Sequence, residues 1–255
     1  MRVSRVQRLT PRFVRVTFTG EELSGFATHG PAEHVRLFFP PQQDERLAPP
    51  EWGPEGPIWP AGQGRPLSRV YTPRRWDAQA LELDVEFILH GEGPGAAWAA
   101  GARPGNAVLL TGPGGAYQLD PQAAWYVLAA DDVALPALCT ILEALPASTP
   151  AFVYAEVGDA AEERDPRTAA RMQLTWLHRD PDAGLPGRAL ERALRTAQLA
   201  QGDGRVWVAC EATVMRDIRR HLLYERNLGR EAVHTHGYWK RGAANHPDHD
   251  LGQDV

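Results

Sequence analysis

The hydrophobic rhythm changes once along the chain, near residue 120, and a single kind of sheet cannot satisfy both sides of that change. Upstream, apolar and polar residues alternate. Val14, Val16 and Phe18 interleave with Arg15 and Thr17; Leu81, Leu83, Val85, Phe87 and Leu89 interleave with Glu82, Asp84 and Glu86. A period of two belongs to strands. His34–Phe39, closed by Pro40 and Pro41, reads as another, and short strands separated by turn residues predict a small antiparallel β-barrel. The Pro- and Gly-rich stretch from Pro40 to Gly64 reads as a long functional or mobile loop. Downstream, Trp125–Ala130 is apolar without alternation, as a strand buried on both faces must be. Strands over 151–157, 172–177, 205–209 and 233–239 alternate with helical stretches over 134–145, 188–200 and 212–228, the last closed by Gly229 as a C-terminal cap. That order predicts an α/β domain with a parallel sheet, whose ligands sit at the carboxyl ends of the strands. Asp131-Asp132, Glu156, Cys210-Glu211 and Tyr238-Trp239 occupy those ends. The domains expected are residues 1–118 and 119–242, followed by a polar tail, 243–255.

With 255 residues there is enough chain for two cores without covalent staples. A net charge of -5 gives no reason to expect nucleic acid or an anionic membrane as partner. No apolar run reaches membrane-spanning length, and the first residues lead into a strand pattern unlike a signal peptide. Cys139 and Cys210 each lie in an apolar segment and read as buried, reduced thiols. A cytoplasmic location follows as the expectation. His234, His236, His246 and His249, with Asp248 and Asp250, are ligand types for a divalent metal. The last two histidines fall in a polar tail with no ordering residues, which reads as a disordered end, and no metal site is assigned.

Two stretches carry chemistry. In RPLSRVYTPRRW, strand geometry turns Arg69 and Tyr71 to one side and Thr72 to the other, with Val70 between. A guanidinium for a pyrophosphate, an aromatic for a flat ring and a hydroxyl for a ring nitrogen match a flavin dinucleotide. HGEGPGAAWAAGARPG places Pro94 at a first helical position, leaving free backbone N–H groups for an anion; a plain turn into a short helix fits the spacing equally well. Gly-x-Gly-x-x-Gly is absent.

HVRLFFP, RVYTPRR, HGEGPGAAWAAGARPG, VLLTGPGG, ADDVALPAL, LTWLHR, VWVACEATVMRDIRRHL and GYWKRG, in this order, make the chain from about residue 3 to 242 resemble the siderophore-interacting protein family. These are ferredoxin-NADP reductase-like, cytoplasmic flavoproteins that reduce ferric siderophores. The resemblance implies FAD on the barrel and NADPH or NADH on the α/β domain. It gives Arg69 the FAD phosphates, Tyr71 (with Val70 beside it) the flavin or ribityl chain, and Thr72 the ring nitrogen. Glu86, Ile88 and His90 line the ribityl and adenine side, and Gly93, Gly95, Ala96, Ala97 and Trp98 cradle the pyrophosphate. Asp131, Asp132, Ala134, Cys210 and Glu211 approach the nicotinamide. Trp239 lies near the isoalloxazine or plugs the space between domains. Arg36, Lys240 and Arg241 are the basic substrate positions.

No catalytic residue is implied, since the flavin itself turns a hydride into single electrons for Fe(III), and Fe(II) then leaves its chelator. The chain departs from the family in four places. Ala96 replaces a serine, and Ala130 to Pro136 replaces Gly-Asp-Glu-Thr-Ala-Leu-Pro. Cys210 replaces a glycine, narrowing the room for a nicotinamide. Ferredoxin is therefore kept as an alternative reductant. Gly114 stands where a third cation is usual, which suggests a less negative chelate such as a hydroxamate. By analogy with dinucleotide folds Glu156 favours an unphosphorylated ribose, and Arg179 the opposite. A flavin reductase with another acceptor, or a non-enzymatic metal- or siderophore-binding protein, are the other readings.

Overall fold

The computed structural model describes residues 1–54, 56–62, 65–89, 93–179, 185–244, 246–247 and 250–253, the side chains of 52 and 56 excepted. The chain forms two units, Met1–Ala116 and Tyr117–Val255, dividing two residues before the expected boundary. Among the described residues no helix is long and apolar enough to cross a membrane.

The first unit holds β1 (Arg2–Arg8), β2 (Phe13–Thr19), β3 (His34–Phe39), β4 (Glu51–Gly53), β5 (Gly56–Ile58), β6 (Leu67–Tyr71), β7 (Pro73–Asp77), β8 (Glu82–Ile88), α1 (Pro94–Ala100) and β9 (Leu109–Gly114). Two antiparallel sheets, ordered β1-β2-β8-β7 and β6-β3-β9, make up the predicted barrel. Val16, Phe18, Val85 and Phe87 of one sheet and Val35, Leu37 and Phe39 of the other share a single core with Trp98. The long loop after Pro40 is not featureless, for it carries the β4–β5 hairpin and lays Trp59 beside Phe38 (5.2 Å between rings). In β8 the acidic face is buried as well as the apolar one. Arg15 donates to Glu86 (2.6 Å) and Thr17 to Asp84 (2.6 Å), so arginine and threonine side chains cover the carboxylates. Gly112-Pro113, a turn-type pair by residue type, lies inside β9. Gly112 takes φ 107°, and a Cβ there would stand 3.1 Å from the His34 carbonyl oxygen, so glycine is what lets β9 stay paired with β3.

The second unit alternates β10 (Trp125–Asp131), α2 (Leu135–Ala144), β11 (Pro150–Val157), β12 (Arg171–His178), α3 (Arg188–Thr196), β13 (Gly204–Glu211), α4 (Ala212–Arg220) and β14 (Val233–Trp239). All five strands are parallel, in the order β12-β11-β10-β13-β14. Strand order reverses between β10 and β13, the position where such sheets bind ligands. Leu190 and Leu194 of α3 and Val214, Met215 and Ile218 of α4 close the core over Val127, Ala129, Val206 and Val208.

Two expectations about chain termini change. Helix α4 ends eight residues early, running into a π-helical turn over His221–Glu225. Asn227 (φ 55°) supplies the left-handed residue there, while Gly229 is extended. The wider turn brings the stop forward, and asparagine tolerates that conformation. The described part of the polar tail is docked, not loose. Asp250 binds Arg216 through both oxygens (2.9 and 2.8 Å), and its carbonyl accepts the Gly237 N–H (2.7 Å).

Candidate functional site

In the first unit the chain crosses from one sheet to the other between β6 and β7, and Thr72 is the crossing residue. Residues directly opposite one another in a ladder share a face. Arg69 stands opposite Leu37 and Tyr71 opposite Val35, so both side chains lie on the core-side face, as expected. Val70 stands opposite Arg36, which places Arg36 on the other face of the same sheet. Tyr71 packs 4.4 Å from Phe87 and edge-on to Phe39, and burial pushes its phenol up, keeping it protonated. Arg69 donates to the Ser68 carbonyl (2.7 Å) and, among the described residues, meets no carboxylate. Thr72 is 8 % exposed and its hydroxyl has no partner among the described residues. A cation and a hydroxyl are thus held ready with no carboxylate or acceptor among the described residues to consume them.

Helix α1 begins at Pro94, so the N–H groups of Gly95 and Ala96 have no acceptor within the helix. The Ala97 N–H does not join them, because it donates to the Gly93 carbonyl (2.9 Å). Gly93 is extended (φ −61°) and a Cβ there would enter open space, so neither its backbone nor a protein neighbour demands glycine. A ligand lying against the backbone would. Gly95 is demanded by the protein itself, since a Cβ would fall 1.8 Å from the Tyr71 hydroxyl. Trp98 turns away from this surface. Its ring lies in the core between Phe18, Phe39 and Phe87, leaving only its backbone for a phosphate. Glu86 is held by Arg15 and lies 3.7 Å from Arg74, Ile88 ends β8 opposite Phe13, and His90 lies outside the described residues. Replacing Gly95 by Ala puts a methyl group onto the phenol; overpacking of this kind costs about 1–3 kcal/mol. Thermal unfolding of Gly95→Ala should fall accordingly, with part of the loss recovered when Tyr71→Phe removes the hydroxyl.

In the second unit the strand ends are crowded with carboxylates, each already engaged. Asp131 is fully buried and accepts from the N–H groups of Val133, Ala134 and Glu211 and from the Trp239 indole. Ala134, also buried, opens α2. Glu211 caps α4 by accepting from Thr213 (2.7 Å) and Val214 (3.1 Å), and also takes the Arg241 N–H (3.2 Å). Glu156 caps α3 through Gly187 (2.6 Å) and Ala189 (3.0 Å) and receives Arg179 (3.2 Å), whose other branch reaches Asp132 (3.0 Å). Both Glu156 oxygens are therefore spent, and it has none left for a ribose hydroxyl. Cys210 also differs from expectation. Its thiol is buried in the core with α3 and α4, and burial pushes it up, so its extra atoms fill the core and do not narrow the crevice. Lys240 and Arg241 are exposed just past β14.

The described histidines have other surroundings. His234 lies beside Tyr117, where burial and His236 hold it down to about 4, and His246 is engaged with Asp250. Among the described residues no group of three His, Cys, Asp or Glu is placed to hold an ion, and Asp248 and His249 lie outside them. Arg179 as a clamp between two strand ends was not legible in the sequence; only its position past β12 hinted at it.

An antiparallel unit followed by a five-stranded parallel unit is the fold of the solved ferredoxin reductases. Within that class the match narrows. Residues 2–117 match the model of the siderophore-interacting FAD-binding domain and residues 123–242 that of the siderophore-interacting protein, and the chain belongs to this family. It is 35 % identical over 249 residues to the ferric vibriobactin reductase of Vibrio cholerae, covering 96 % of this chain and 90 % of that one. It is 30 % identical to the NADPH-dependent ferric-chelate reductase of Escherichia coli, over 93 % and 91 %. Among solved structures, a siderophore utilization protein from T. fusca superposes with a TM-score of 0.82 at 36 % identity, over 97 % and 94 %.

Proposed function

We propose that this chain is an FAD-dependent ferric reductase that takes electrons from NADPH and delivers them to a ferric siderophore, releasing Fe(II). The observation that carries the reading is the unspent donor set around Tyr71. Among the described residues Arg69 meets no carboxylate and the Thr72 hydroxyl meets no acceptor, and Gly95 and Ala96 present N–H groups beside an open Gly93. Those groups fit FAD: Arg69 and the α1 N–H groups would bind the two phosphates, Tyr71 would support the ring system and Thr72 would donate to a ring nitrogen. FAD, once bound, supplies the conversion of a two-electron donor into single-electron steps. In the second unit the reversal of strand order is the proposed nicotinamide position, with Asp131, Asp132, Ala134 and Glu211 buried beneath it as its support. NADPH is favoured over ferredoxin by the name of the Escherichia coli relative. Arg36, Lys240 and Arg241 are proposed as the cations that draw in an anionic chelate.

The protein should purify yellow. Mixed without oxygen with NADPH and then with a ferric siderophore, in the presence of a ferrous-specific chelator, it should yield trapped Fe(II). A colourless protein that takes up no FAD sinks the reading. A yellow one that reduces free flavin or an electron carrier but no ferric chelate belongs to a different reductase.

A further inference from the structure

The carboxylate of Asp131 ties three strand ends together. Oδ1 accepts the N–H groups of Val133 (3.1 Å) and Ala134 (3.2 Å), closing the turn from β10 into α2. Oδ2 accepts the N–H of Glu211 at the end of β13 (3.1 Å) and the indole N–H of Trp239 at the end of β14 (2.8 Å). All four partners are donors, and no solvent reaches the residue. Such a shell suits the anion alone. A protonated carboxyl has to aim its O–H at one of these N–H groups, so a hydrogen bond is lost whichever oxygen carries the proton. Three of the donors are backbone groups fixed in a turn and a strand end. The Trp239 ring is only half-buried and can withdraw without disturbing either.

We propose that Asp131 is a positioning residue whose ionised carboxylate locks the Trp239 ring at the carboxyl end of the sheet, and that releasing this lock weakens binding of the nicotinamide cofactor there. The second half rests on the function proposed above; the lock itself does not. The charged and titratable groups around Asp131 come from every neighbouring element. Asp132 shares its turn, Glu156 ends β11, and Cys210 and Glu211 end β13. Tyr238 approaches from β14, and Arg179 acts from beyond β12. Burial first, and then the charge of Asp132, push Asp131 up to about 7, against the pull of the Trp239 and Ala134 hydrogen bonds. A carboxyl raised this far takes up its proton in the folded protein near neutrality, so the lock is closed above that range and open below it.

The test uses full-length protein carrying nitrogen-15 tryptophan, with the Trp239 indole signal assigned by its loss in Trp239→Phe. On lowering the pH from about 8 to about 6 the indole N–H signal should move upfield in one step, and KM for NADPH should rise about three- to tenfold with kcat little changed, the scale of one ordinary hydrogen bond. Asp131→Asn should hold the indole at its low-pH position and make KM high and independent of pH. Should that variant fail to fold, Trp239→Phe, which removes only the side-chain donor, should show the same high, flat KM. An indole signal that stays fixed across the range overturns the lock, as does a KM that keeps the wild-type pH course in both variants. An indole that titrates while KM ignores it overturns the link to the cofactor and leaves the proposed function standing. Absence of NADPH oxidation at every pH overturns both.

Discussion

Arg69→Ala should yield a protein that folds normally and purifies with almost no FAD. Among the described residues the guanidinium makes one hydrogen bond, to the Ser68 carbonyl, and no ion pair. Removing it therefore leaves no buried charge behind, and the lost packing of its half-buried stem should cost no more than about 1 kcal/mol. Binding is a different matter. A forked contact to phosphate comprises two charge-assisted hydrogen bonds, each of about 1.5–3 kcal/mol, so FAD affinity should fall at least about a hundredfold. Arg69→Lys keeps the charge but not the fork and should recover only part of that. Flavin absorbance per protein and a fluorescence titration with added FAD measure both. Full flavin content in Arg69→Ala would remove Arg69 from the phosphate site.

What the sequence made legible follows from how far each signal reaches. Alternation in Val14–Phe18 and Leu81–Leu89, and unbroken apolar runs such as Trp125–Ala130, are local signals, and the strands form where they indicate. The side-by-side projection of Arg69 and Tyr71 is equally local, and the ladder with β3 preserves it. Partnerships across the chain were not legible. Glu86 reads as the polar side of a strand until Arg15, 71 residues away, covers it. The tail reads as polar and loose until Arg216, 34 residues earlier, takes Asp250. Gly229 is the better capping residue by type, but the π-helical turn moves the helix end to Asn227, and no short-range pattern reports such a turn. At the candidate site, residue type identified residues at the strand ends without showing which side chains were still free to bind. Glu156, Glu211 and Cys210 were each read as facing a ligand, and each is committed to the protein.

Glu156 makes that distinction testable, because its two possible roles predict opposite results. As the cap of α3 its carboxylate satisfies the Gly187 and Ala189 N–H groups and neutralises one branch of Arg179, all with the side chain 1 % exposed. Glu156→Ala leaves those donors and part of a half-buried guanidinium unpaired, and breaking a buried pair from one side costs about 3–5 kcal/mol. That is a large share of the roughly 5–15 kcal/mol that holds a typical domain together. The unfolding transition of the second unit should fall by about 6 °C or more, at about 2–4 °C per kcal/mol. Glu156→Gln keeps one oxygen for the helix but loses the charge, and should fall between the two. In all three proteins the ratio of kcat/KM for NADPH to that for NADH should be unchanged. A ribose acceptor would behave the other way round, with that ratio rising on loss of the carboxylate and thermal stability barely moving. Only one of these patterns is compatible with a carboxylate whose two oxygens already have partners.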